Sequence, residues 1–155
     1  MAPTREIKSS GVAQTSETSD EIFDGTKIKR SESEWRRMLT PTQFEILRNK
    51  GTENPYTGKY DKFDEVGTYH CGACSLALFR STTKFDSETG WPSFFRAISE
   101  KNIIEKVDNS LSEVRTEVVC ARCGSHLGHV FDDGPKPTGL RYCINSAALN
   151  FRAKL

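Results

Sequence analysis

A mainly β (α+β) fold is predicted, with short N-terminal helices leading into a small antiparallel β domain stapled by a metal ion. Three observations carry this. Two capping signatures follow one another between Ser31 and Gln43; from Gly67 onward short β-branched and aromatic segments alternate with turn residues; and of five cysteines, Cys71 with Cys74 and Cys120 with Cys123 form two C-x-x-C pairs.

Residues 1–25 are rich in Ser, Thr, Glu and Lys and carry no apolar periodicity, so a disordered tail is expected there. The folded domain is expected over residues 26–155. Ser31 and Glu34 make a capping-box pair, and Trp35, Met38 and Leu39 are expected on one helical face, with Trp35 in the core. Thr40-Pro41-Thr42-Gln43 restarts the pattern with a cap residue, a first-turn proline and a Gln three after the cap. Phe44 and Leu47 then supply an apolar stripe, and Gly51 offers a stop. Asn54-Pro55-Tyr56-Thr57-Gly58 reads as a turn. Strands are expected over 76–79, 103–107, 114–119 and 141–148, the third for its period-two alternation. Asp133 to Gly139 reads as a loop.

Charge bounds the function classes. Lys and Arg number 22 against 21 Asp and Glu, which leaves no footprint for nucleic acid and no polybasic signal for a membrane surface. No apolar run approaches the roughly 20 residues of a membrane span, and no secretory signal is visible. The expected location is therefore cytoplasmic, or an organelle matrix or stroma (a plastid among them) if the Ser-rich N-terminus is a processed form. A monomer is the default, since no heptad or exposed apolar repeat is apparent.

Outside the secretory route, paired cysteines are read as metal ligands before disulfides. Four thiolates in two knuckles suit one tetrahedral zinc ion, and a closed shell of this kind leaves no position for water or substrate, so the expected role is structural. Gly72 and Gly124 fall where knuckle turns often need positive φ. Two redox-active disulfides are the weaker reading, since no thioredoxin-like βαβ pattern surrounds them.

The fifth thiol, Cys143, reads either as a small buried hydrophobe or as a nucleophile. Arg141 and Asn145 lie two residues to either side and share its face if the segment is a strand, and Arg141 would then stabilise a thiolate. Two of the three histidines, His126 and His129, follow the second knuckle directly, and Trp91 in Gly90-Trp91-Pro92 could wall an apolar pocket. These residue types fit a papain-like hydrolase as well as a redox thiolate. A non-enzymatic zinc module is the alternative from another class.

Four ordered stretches resemble the methionine-R-sulfoxide reductase B family: Thr83 to Ser87, Gly90 to Phe94, Cys120 to Phe131 and Gly139 to Ser146. The resemblance runs from about Ser33 to the C-terminus. It implies two small antiparallel sheets with N-terminal helices, one zinc ion on Cys71, Cys74, Cys120 and Cys123, and Cys143 as nucleophile. It also implies reduction of the R epimer of methionine sulfoxide, mainly within oxidised proteins under repair, with a sulfenic acid left on Cys143. His129, with His126 nearby, would supply the proton; Trp91 and Phe131 would hold the substrate; Arg141 and Asn145 would orient the reacting groups. Many members carry a second redox cysteine immediately before Gly-Trp-Pro, where this chain has Thr89. A one-cysteine type is thus implied, regenerated by thioredoxin, glutaredoxin or glutathione.

Overall fold

The computed structural model describes residues 21–154. Residues 1–20 of the expected tail lie outside the described residues. From Glu21 the chain is already tied to the fold: its carboxylate pairs with Arg80, the Phe23 N–H donates to Asn102 Oδ1 at 3.0 Å, and the Phe23 ring packs against the core.

Both helices begin as their caps dictate. In α1 (Glu32–Met38) the Ser31 hydroxyl accepts the Glu34 N–H, and the Glu34 carboxylate accepts the Ser31 N–H. In α2 (Pro41–Asn49) Thr40 and Gln43 make the same reciprocal pair, satisfying backbone donors that a helix start otherwise leaves orphaned. Trp35 is buried, but Met38 is 52% exposed, contrary to its expected place on that face. Leu39, four residues on, lies closer to Trp35 around the helix axis and takes the inward position. The stop also differs by one residue: Lys50 adopts the left-handed conformation (φ 57°), and the Gly51 N–H returns to Glu45 O at 2.9 Å.

The rest is β, as predicted. One three-stranded sheet has the order β2-β1-β9, from β1 (Gly67–Cys71), β2 (Ala77–Arg80) and β9 (Leu149–Ala153). A six-stranded sheet has the order β3-β4-β8-β7-β6-β5, from β3 (Lys84–Phe85), β4 (Ser93–Phe94), β5 (Ile103–Asp108), β6 (Arg115–Cys120), β7 (His126–Phe131) and β8 (Arg141–Ile144). All pairings are antiparallel. Aromatic rings join the sheets: Phe79 of β2 stacks on Phe94 of β4 at 4.5 Å between centroids, and Tyr69 of β1 meets Phe94 edge-on. No helix among the described residues is long and apolar enough to cross a membrane.

The strand expected over 141–148 stops short, and the chain then passes to the other sheet. β8 ends at Ile144, a 3₁₀ turn covers Ser146–Ala148, and β9 starts at Leu149. Glu53 enforces the break, because its two carboxylate oxygens accept the N–H groups of Ser146 and Ala147 at 2.9 and 3.0 Å. Those donors would otherwise belong to a continuing ladder.

Candidate active site and metal centre

Each knuckle closes by the same pair of backbone bonds. Cys71 O accepts the Ser75 N–H and the Cys71 N–H donates to Leu76 O; Cys120 O accepts the Gly124 N–H and the Cys120 N–H donates to Ser125 O. The positive φ falls after the second cysteine in both, at Ser75 (70°) and Gly124 (76°), so the expected role of Gly72 passes to Ser75. The four sulfur ligand atoms lie within 4.8 Å of one another, with Cys71–Cys123 at 3.7 Å and Cys74–Cys120 at 3.5 Å. Those two separations match the edge of roughly 3.8 Å expected for a tetrahedron of thiolates each about 2.3 Å from a central ion. N–H groups of Ala73 and Arg122 point at Cys71 Sγ and Cys74 Sγ, both at 3.4 Å, as befits anionic sulfur. The set can hold a metal ion. Since Cys71 ends β1 and Cys120 ends β6, such an ion ties one sheet to the other.

Cys143 stands apart, in β8, opposite Ser93 on one side and His129 on the other. β8 alternates half-buried and buried residues, so Arg141 and Cys143 share one face while Tyr142 and Ile144 enter the core. On the Cys143 face lies a cleft of about 280 Å³, lined by Trp91, His129, Phe131, Arg141, Cys143 and Asn145. Thr52, Thr89, Arg115 and Gly128 complete it. A larger groove of about 650 Å³ runs along the opposite face, past Tyr142, and holds no cysteine or histidine.

His126 is not part of the cleft lining. It lies behind His129, 3% exposed, with ring centroids 5.5 Å apart. Residues three apart in a regular strand face opposite ways, but β7 carries a bulge at Leu127, since Val118 pairs with Gly128 and Val119 with His126. That extra residue brings both imidazoles to one side. Gly128 is required where β8 crosses closest, because a Cβ there would sit 2.0 Å from Cys143 O.

Burial pushes the Cys143 thiol above its ordinary value, outweighing the opposite pull of the Arg141 charge and of the Thr89 hydroxyl. Arg141 pulls the thiol in the expected direction, and its guanidinium is shared with other partners. It makes a two-pronged pair with Asp133 at 2.9 and 3.1 Å and stacks on the Phe131 ring at 4.4 Å. Burial pushes His126 the other way, toward its neutral form, against the pull of the Glu117 carboxylate 2.7 Å from its Nδ1.

Glu53, which no motif marks, organises one wall. Its carbonyl accepts the Trp91 indole N–H at 3.1 Å, and its own N–H donates to Asn145 Oδ1 at 3.0 Å. Asn145 in turn donates to Leu127 O from its side chain at 3.1 Å. Trp91 therefore presents only apolar ring surface to the cleft. Asp108, Arg115 and Glu117 were equally invisible, since a charged residue in a strand is ordinarily a solvated one.

Fold and site together define a β domain in which four cysteines converge as a set able to clamp a metal ion, with a separate fifth thiol opening into a cleft walled by Trp91 and Phe131. Residues 39–153 match the SelR domain model, and the chain belongs to that family, the methionine-R-sulfoxide reductase B family. It is 56% identical over 128 residues to a protein of Pseudomonas putida (strain W619) named peptide methionine sulfoxide reductase MsrB, covering 83% of this chain and 96% of the relative. A protein of the same name from Methanosarcina barkeri is 55% identical over 127 residues, covering 82% and 89%.

Proposed function

We propose that this protein is a peptide-methionine (R)-S-oxide reductase that repairs oxidised proteins through a sulfenic acid on Cys143. The observation that carries the proposal is the partition of sulfur: four thiols converge on one another, and the fifth opens beside an imidazole and an indole. The Cys143 thiolate attacks the sulfoxide sulfur while His129 protonates the oxygen. That oxygen transfers to Cys143 as sulfenic acid and methionine leaves, so cysteine sulfur is oxidised by two electrons and substrate sulfur reduced by two. Trp91 and Phe131 receive the S-methyl end, where a polarizable sulfur gains from ring contact. Asn145 and Arg141 orient the reacting groups. The preference for the R epimer rests on family membership.

Cys71, Cys74, Cys120 and Cys123 would hold one zinc ion, which supplies a structural crosslink and leaves no ligand position for chemistry. Their thiols are thereby withdrawn from the redox cycle. An external thiol must attack the sulfenic acid, releasing water and leaving a mixed disulfide that a second thiol resolves; thioredoxin, glutaredoxin and glutathione are the candidates. Turnover measured with separate R and S sulfoxides, under each reductant in turn, tests the reading. Reduction of the R epimer with a single dimedone-labelled thiol is expected; equal use of both epimers, or no labelled thiol, sinks it.

Thr89 lines the same cleft as Cys143 and stands immediately before Gly90-Trp91-Pro92, where many family members carry a second redox cysteine. Thr89→Cys is expected to give a disulfide between the introduced thiol and Cys143 after one turnover without external thiol. Peptide mapping under non-reducing conditions detects it; a sulfenic acid that instead persists unpaired would show that the loop holds the two sulfurs apart.

A further inference from the structure

Each imidazole beside the cleft is backed by a carboxylate, and each carboxylate by a cation. His126 Nδ1 meets Glu117 Oε2 at 2.7 Å, with Lys50 Nζ 3.3 Å from Glu117 Oε1. His129 Nε2 meets Asp108 Oδ2 at 2.8 Å, with Arg115 Nη2 3.4 Å from the same oxygen. The two arrays match in composition and differ in access. His126 is sealed, and its Nε2 has no partner among the described residues. His129 lines the cleft directly opposite Cys143.

Asp108 ends β5 as the cross-strand partner of Arg115, and its side chain is 4% exposed. The bond from His129, with further ones from Ser110, holds its carboxyl below the usual carboxylate range, so near neutral pH it only accepts. The proton on that hydrogen bond therefore belongs to His129 Nε2. Nδ1 is the nitrogen left without a partner among the described residues, on the residue that lines the cleft.

We infer that Asp108 is a positioning residue of the reduction, fixing His129 with Nε2 held and Nδ1 free for the sulfoxide oxygen, and stabilising the imidazolium that donates the proton. The inference rests on the reading of His129 as proton donor. In the step, Nδ1–H gives its proton to the oxygen as the Cys143 thiolate takes the sulfur, and the oxygen passes to Cys143 as methionine departs. The imidazole is left neutral, its Nε2–H still on Asp108, and solvent restores the proton. Other charges face His129: Arg115 and Glu117 from β6, with Lys106 beyond Glu117 in the same row, Cys143 and the Asp133-bound Arg141 from β8, and His126 along β7. Lys50, from the end of α2, acts through Glu117. Among the described residues only Asp108 bonds the His129 ring.

The test is ¹⁵N spectroscopy of the imidazoles in the full-length protein, joined to single-turnover kinetics of sulfenic acid formation. In the unaltered protein His129 is expected as the Nε2–H tautomer at alkaline pH; an Nδ1–H tautomer would overturn the inference with no variant needed. Asp108→Asn keeps the shape and removes the charge. It should slow sulfenic acid formation at least ~10-fold, within the range that general acids contribute. It should also shift the His129 ring from a single Nε2–H tautomer toward a mixture of the two, since the charged acceptor that holds Nε2–H is gone. A variant with an unchanged His129 tautomer and normal rate sinks the role of Asp108, provided His129→Asn is inactive. If His129→Asn itself turns over normally, the proton-donor reading is what fails.

Discussion

Removing the metal, or replacing Cys120 with Ser, is expected to unfold the protein rather than merely soften it. Cys71 and Cys120 are fully buried and Cys123 nearly so, and the first two terminate strands of different sheets. Without an ion, four sulfurs within 4.8 Å and the N–H groups aimed at two of them become an uncompensated polar cluster in the core. Metal binding at such a site contributes on the order of 10 kcal/mol to folding. Since a domain of this kind is stable by about 5–15 kcal/mol, losing that contribution consumes most or all of the margin. The stacked Phe79–Phe94 pair and the strands themselves remain apolar, so the chain should collapse without fixed packing. The measurement is near-ultraviolet circular dichroism with metal analysis, before and after a strong chelator under mild denaturant. One equivalent of bound zinc and loss of the aromatic signal on stripping are expected. A stripped protein that keeps that signal and a cooperative thermal transition within a few degrees of the original would show that the knuckles are only incidental neighbours.

What could be read from the chain beforehand was whatever is encoded locally. Capping boxes at Ser31 and Thr40 involve residues three apart, and each knuckle closes within a few residues, so both were legible. The position of Met38 was not, because a helix of seven residues leaves the choice between positions three and four after Trp35 to whatever packs against it. Nor was the break after Ile144, which depends on a carboxylate more than ninety residues earlier in the chain. The carboxylates behind the histidines failed to register for a related reason. Asp108 and Glu117 look like ordinary strand-surface charges, and only the register of β5 to β8, with the bulge at Leu127, turns them inward against imidazoles. Local chemistry named the cleft-lining side chains; long-range pairing chose which groups stand behind them.

Cys143→Ser is expected to abolish turnover, by at least ~10³-fold, since splitting the reaction through a covalent sulfur intermediate has no counterpart with a hydroxyl of far higher pKa. Its effect on stability should be small. The side chain is half-buried at the cleft, replacement by oxygen changes little volume, and no metal ligand is touched, so the thermal midpoint should stay within a few degrees. That contrast separates it from Cys120→Ser, which should cost the fold first. The pH behaviour of the native thiol follows from its surroundings. Burial raises Cys143 above its ordinary value, so below that value the neutral thiol predominates in the resting enzyme, and the thiolate fraction grows as pH rises. Alkylation of substrate-free protein by iodoacetamide should therefore accelerate with a midpoint above that of an unperturbed cysteine. Arg141→Ala should move the midpoint higher still, because the cation that opposes burial is gone. A midpoint well below the ordinary thiol range would mean that the cleft stabilises the anion more than it desolvates it, and the balance of forces assigned to this sulfur would be reversed.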